Sequence, residues 1–160
     1  MVRTLLGLLT LVSLAGCGVG LSGGGAPPPS VEDAEVLLDE IIAAGIDRDW
    51  ERLCANASGT CEGELQGAEE RAPTSAPRVA AVEVHDPQRD GETWTSGGVL
   101  FVLCGVDGLG DPYESEVLVF DDGDRLLAGA AVYWKGTAIS FASPGIGVVG
   151  EPSPGERQCP

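Results

Sequence analysis

The sequence predicts an α+β domain: an N-terminal helix, with one or two short helices after it, packed on a curved antiparallel sheet of about four strands. Three observations predict it. Ala34, Leu37, Leu38 and Ile41 recur with helical spacing, while Glu32, Glu35, Asp39 and Glu40 lie mostly on the other face. From Val79 onward the pattern alternates in twos. Turn sequences at Asp86-Pro87, Asp90-Gly91 and Asp121-Asp122-Gly123-Asp124 divide this second half into strand-length pieces. Helices first and strands afterwards is the α+β order.

Taken in order, the first helix is predicted over Val31–Ala44. Ser30 and Asp33 form a capping box at its start, and Gly45 supplies the C′ residue at its end. Asp47 is placed to cap a second, shorter helix through Trp50, Leu53 and Cys54, and a third helical stretch is predicted over Cys61–Arg71. Val79–His85 reads as a half-buried strand with Ala80, Val82 and Val84 on one side and Ala81, Glu83 and His85 on the other. Glu92–Cys104 reads as a longer strand with a break or bulge at Gly97-Gly98. Its second half, Val99–Leu103, is apolar on both faces, which predicts a central strand covered on both sides. A loop over Gly105–Pro112, a strand over Tyr113–Phe120, the Asp121–Asp124 hairpin turn, a strand over Arg125–Trp134 and a short strand over Thr137–Phe141 complete the domain.

The N-terminus has a different character. Met1-Val2-Arg3 is a short positive start, and the uncharged, mostly apolar run Thr4–Ala15 follows. A run of about a dozen residues has the length of a signal-peptide core and falls short of the ~20 that a bilayer-spanning helix needs. Leu14-Ala15-Gly16-Cys17 comes directly after it. This tetrapeptide resembles the lipobox of bacterial lipoproteins: an aliphatic residue, two small residues that fit the peptidase, and the cysteine. The resemblance implies that the thiol of Cys17 takes a diacylglycerol, that cleavage falls ahead of it, and that Cys17 anchors the protein to the extracytoplasmic face of the cell membrane. The expected organisation is a signal peptide over 1–16, a lipidated Cys17 with a flexible Gly/Pro tether over 17–29, the α+β domain over 30–141 and a Pro/Gly-rich tail over 142–160. A tether of this composition reaches roughly 20 Å.

Charge and cysteine content bound the rest. Asp and Glu number 25 against 9 Lys and Arg, a formal net charge of −16, and Lys135 is the only lysine. Such a chain is repelled by nucleic acid, which excludes nucleic-acid partners. Of the 5 cysteines, lipid on Cys17 leaves Cys54, Cys61, Cys104 and Cys159, which oxidise in an exported domain. Of the three possible pairings we favour Cys54–Cys61, across a turn-rich link, with Cys104–Cys159, which staples the tail to a strand end. No C-x-x-C spacing or companion histidine argues for zinc.

The helix Val31–Ala44, its continuation Gly45–Trp50 and the strands from Val79 to Trp134 resemble, by element order, the cystatin-like cone fold shared by nuclear transport factor and ketosteroid isomerase relatives. Small lipoproteins of high-GC Gram-positive bacteria have this look, and the Ala, Gly, Val and Arg bias fits such a genome. In enzymes of the cone fold the concave face of the sheet is the pocket, so Trp94, Tyr133 and Trp134 are candidate pocket-lining residues, with a filled aromatic core the favoured reading. The remaining signals are weak. His85, the single histidine, reads as solvated at a turn. Gly105–Gly110 lacks the helix and nearby lysine of a phosphate cradle. Asp121, Asp122 and Asp124 lack a complete calcium loop. No nucleophile motif, catalytic residue, metal site or cofactor motif emerges. The expected function is therefore a membrane-anchored, non-catalytic domain that binds a protein or small molecule. The alternatives are an enzyme using a cone cavity, or a purely structural envelope protein.

Overall fold

The computed structural model describes residues 25–59, 61–90, 93–140, 148–150 and 159, with side chains set aside at 89, 90, 93, 94, 140 and 148–150. Helix α1 spans Val31–Asp47. Ser30 caps it as predicted: its Oγ accepts the Asp33 N–H at 3.1 Å and donates to the Asp33 carboxylate at 2.6 Å. The predicted end at Ala44 is corrected. The helix runs through Gly45 and closes on Arg48, whose φ is 59°. Gly45 serves packing rather than termination, because a Cβ there would lie 3.0 Å from both the Trp134 ring and the Tyr133 hydroxyl. Since α1 consumes Asp47, the next helix, α2 (Trp50–Ala55), is capped instead by Asp49, which accepts the Arg52 N–H at 3.1 Å. The predicted third helix is shorter: α3 covers Cys61–Leu65, and a separate 3-10 turn covers Glu69–Arg71.

Among the described residues eight strands follow: β1 (Arg78–His85), β2 (Gln88–Asp90), β3 (Thr93–Thr95), β4 (Gly98–Val106), β5 (Pro112–Asp121), β6 (Leu126–Gly129), β7 (Ala138–Ser140) and β8 (Val148–Gly150). The main sheet is antiparallel in the order β1-β4-β5-β6, which makes the molecule α+β as predicted. β2 with β3 and β7 with β8 form two small hairpin-like pairs. The strand predicted over 92–104 is thus two strands, parted ahead of Gly98. Gly97 has no room for a side chain there, against the His85 carbonyl and Pro28, and its N–H donates to Ala26 O at 2.8 Å. The segment expected as a flexible tether meets the domain at Ala26. The expected tail likewise contributes β8.

The central strand behaves as its composition requires. Val99–Leu103 are at most 2 % exposed. Val99, Phe101 and Leu103 share one core with Leu38, Ile41, Val117, Val119 and Tyr133, while Leu100 joins Leu118, Phe120 and Leu127 in a second. Burying aliphatic side chains like these stabilises a fold by about 1.5–3 kcal/mol each. The predicted strand over Arg125–Trp134 is corrected: β6 ends at Gly129, Ala130 takes φ 58°, and Tyr133–Lys135 form a 3-10 turn. That reversal moves Tyr133 and Trp134 off the sheet and under Gly45 of α1.

The strand β1 departs from its expected burial. Ala80 is bulged out of register, and Val79, Val82 and Val84 stand opposite Leu103, Phe101 and Val99. Directly opposed residues share a face, so the three valines lie on the helix-covered side. They are nevertheless 43 %, 41 % and 56 % exposed. Helix α1 packs over β5 and β6, and its cover stops short of β1.

Both favoured disulfides are present, Cys54–Cys61 and Cys104–Cys159, with Cα separations of 5.4 and 5.6 Å. Among the described residues, no helix is long and apolar enough to cross a membrane.

Candidate functional site

The end of the sheet where β4 passes into β5 carries a cluster that has no local signature in the sequence. Asp107, first residue of the loop, is 7 % exposed. Its Oδ1 accepts the N–H groups of Leu109 and Asp111 at 2.9 and 3.0 Å, so the carboxylate folds its own loop around itself. Its Oδ2 accepts Arg71 Nε at 2.6 Å, and the same guanidinium reaches Asp111 at 2.5 Å. The Gly108 N–H closes the join by donating to Arg71 O at 2.8 Å. Burial disfavours the charged carboxylate of Asp107, but the Asp111 and Leu109 N–H groups and the Arg71 guanidinium outweigh it and hold its pKa below the ordinary value. Arg71 is held in its charged form by hydrogen bonds to Asp111 and then Asp107.

Beside this cluster is a cleft of about 460 Å³, bounded by Arg71 and Asp107 on one side and by Tyr113, Glu114, Trp134 and Lys135 on the other. Trp134 is fixed there by its indole N–H, which donates to Ala68 O at 2.8 Å. Tyr133 meets it edge-on at 5.1 Å between centroids, and Trp50 lies 6.1 Å away. Lys135 donates to Glu64 O at 3.0 Å from the cleft rim. The segment carrying these aromatics is tied to β5 through Ser115, whose hydroxyl donates to Tyr133 O and accepts the Thr137 N–H.

Tyr113 stands out. It is 7 % exposed and lies across the β4–β5 pair over Gly105, where its ring leaves no space for a side chain. Its hydroxyl is buried and has no hydrogen-bond partner among the described residues. Burial first, and then the charge of Asp107, push its pKa upward, so it is a neutral donor at all physiological pH. An unsatisfied buried hydroxyl costs about 1–3 kcal/mol. Tyr113 is thus a cleft-lining residue whose hydroxyl the protein itself leaves without a partner among the described residues.

The sequence-predicted candidates divide. Tyr133 and Trp134 are brought together, but Tyr133 is wholly buried and its hydroxyl donates to Ile42 O at 3.4 Å, so it belongs to the core. Trp134 is 3 % exposed and reaches the cleft only at its margin. Trp94 falls on β3, outside the main sheet, and its side chain lies outside the described residues. Cys17 also lies outside them. His85 is half-buried beside Glu83, at 3.4 Å, rather than solvated. The Asp121–Asp124 acids cap their own turn: Asp121 accepts the Gly123 N–H, and Asp122 accepts those of Asp124 and Arg125. No protein-family model, curated protein or solved structure matches the chain.

Proposed function

We propose that this chain is a membrane-anchored extracytoplasmic lipoprotein whose α+β domain, of the cystatin-like cone class, binds a small molecule or protein segment without catalysis in the Arg71–Asp107–Tyr113 cleft. The observation that carries the binding reading is the buried, unpartnered hydroxyl of Tyr113 beside that cleft. It suits a ligand with a hydrogen-bond acceptor. Asp107 and Arg71 support a binding role over a catalytic one, because the Arg71 guanidinium is shared between Asp107 and Asp111 and the three side chains serve to hold the loop. The assignment to the cone class rests on the order of elements, a long leading helix followed by an antiparallel sheet.

The anchored, exported reading is supported by the cysteines. Four of the five pair with one another, which leaves Cys17 of the Leu14-Ala15-Gly16-Cys17 motif for lipid. Two acyl chains on one residue give the stable anchoring that a single chain does not.

Two experiments test these readings separately. Cys17→Ala moves the protein from the detergent to the aqueous phase in a membrane extraction; continued partition with lipid overturns the anchor. Native mass spectrometry of protein purified from its host shows a non-covalent mass that Tyr113→Phe removes, while Tyr113→Phe leaves the unfolding midpoint unchanged or higher. A bare chain in both proteins overturns the small-molecule reading.

A further inference from the structure

The two edges of the main sheet are treated differently. Beyond β6 the chain lays down Asn56–Ser58: Ala57 bridges Ala128, Ala128 N–H donates to Asn56 O, and Ser58 N–H donates to Ala128 O, both at 2.9 Å. Beyond β1, among the described residues, no strand follows. Edge strands are normally blunted by charge, proline or cover, because their free backbone groups template further pairing. In β1 the middle residues are Ala81 and Val82, and no acidic residue occurs from Ala72 to Val82 in a chain with 25 of them. The exposed Val79, Val82 and Val84 extend the core face of β4 outward without a helix above them.

We propose that β1 is a self-pairing edge: two copies of this chain join β1 to β1 antiparallel about a two-fold axis at Val82. The sequence of β1 is self-complementary in that register and in a way its bulge determines. With Ala80 bulged out, Val82 meets Val82 of the second copy, and Val84 meets Val79. The three exposed valines of each copy thus form one continuous apolar row between the two helical layers. On the opposite face Glu83 meets Ala81, and His85 meets Arg78. Glu83 is diagonal both to that Arg78 and to Glu83 of the second copy, and a diagonal pair lies within reach of long side chains, so Arg78 sets its charge against the two facing carboxylates. The arginine of each copy therefore approaches the Glu83–His85 pair of the other. A two-fold contact of this kind is closed, so pairing stops at the dimer. It produces one eight-stranded sheet.

The net charge opposes association at long range, and salt removes that opposition. The unmodified full-length chain in detergent is therefore expected to sediment increasingly as a dimer as salt rises to about 0.5 M, where screening acts over roughly 4 Å. A monomer at every salt concentration overturns the proposal.

Cysteine scanning in the full-length chain tests the register. Opposed Cα atoms in an antiparallel pair are about 4.5–5.5 Å apart, within disulfide range. Val82→Cys is expected to give a covalent dimer of twice the chain mass on mild oxidation, beyond any formed by the unmodified chain. Val84→Cys alone is expected to give none, since the two copies of residue 84 are offset by roughly 13 Å. Val79→Cys mixed with Val84→Cys restores it. No dimer from Val82→Cys, equal yields from Val82→Cys and Val84→Cys, or a cross-link to a protein of another size overturns the proposal. Arg78→Glu in the Val82→Cys background lowers the yield by roughly tenfold, through two symmetry-related pairs made repulsive, and Arg78→Glu with Glu83→Arg recovers it. If neither changes the yield, the stated register is wrong.

Discussion

Asp107 organises the candidate site although nothing around it in the sequence marks it. Its neighbours Gly108, Leu109 and Gly110 read as a plain connecting loop, and a loop is what they form. The partner that gives Asp107 its role, Arg71, lies 36 residues earlier, and Arg71 reaches Asp111 across 40. No local pattern encodes such a pairing. The depressed pKa of Asp107 makes a prediction with a definite sign. A carboxyl whose folded pKa lies below its unfolded value, ~3.9 for Asp, adds stability that is complete above the unfolded value and is lost as pH falls through the folded one. The unfolding midpoint of the wild-type chain therefore drops on acidification below about pH 4. Asp107→Asn starts from a lower midpoint at neutral pH, because the bond to Arg71 loses its charge, and drops less over the same acid range. Asp122, whose pKa is held down by the Asp124 and Arg125 N–H groups, accounts for part of the fall that remains. Urea titrations of both proteins across the acid range check this; parallel curves would place the acid sensitivity elsewhere.

At the scale of elements, what could be read depended on whether the signal was local. The capped start of α1, the doubly apolar β4 and the acidic hairpin turn are each set by residues within a few positions of one another, and each is where the pattern places it. The local pattern misleads where a distant neighbour decides the outcome. Gly45 resembles a helix stop, but the rings of Tyr133 and Trp134 require a glycine at that point of the helix surface. Residues 130–134 resemble a strand, but a left-handed alanine turns them inward. In β1 the bulge at Ala80 puts Val79, in place of Ala80, on the face of Val82 and Val84, and the three valines remain exposed, since helix length and placement decide how far cover extends. The disulfides were legible because one bridges a short turn and the other ties down the end of the chain. Their sequence separations, 7 and 55, also rank their effects. In the chain-entropy model, losing Cys54–Cys61 costs about 2 kcal/mol and losing Cys104–Cys159 about 4 kcal/mol. Paired Cys→Ala variants, compared by chemical denaturation, should follow that order; the reverse order would mean that native contacts around the Cys54–Cys61 loop, rather than chain entropy, dominate.

For the whole molecule, β4 works as a ruler between the two ends that matter. At its start, Gly97 N–H holds Ala26 O, so the described chain enters the domain at this end. At its finish stand Asp107 and the cleft. Nine residues of strand separate the two by roughly 33 Å. An anchor at Cys17 would then suspend the domain with its cleft facing away from the bilayer, and the high negative charge would keep the intervening surface off anionic headgroups. Lys135 allows this orientation to be measured. It is the only lysine, it is exposed, and it sits on the cleft rim. A membrane-impermeant amine reagent, applied to intact membranes with the protein on the accessible face, is expected to label Lys135 as fast as it does after detergent extraction. Peptide mapping separates that label from one on the chain's terminal amine. Labelling that appears only in detergent would mean that the cleft faces the membrane or is covered there by a partner, and repeating the reaction on vesicles holding only the purified protein decides between the two.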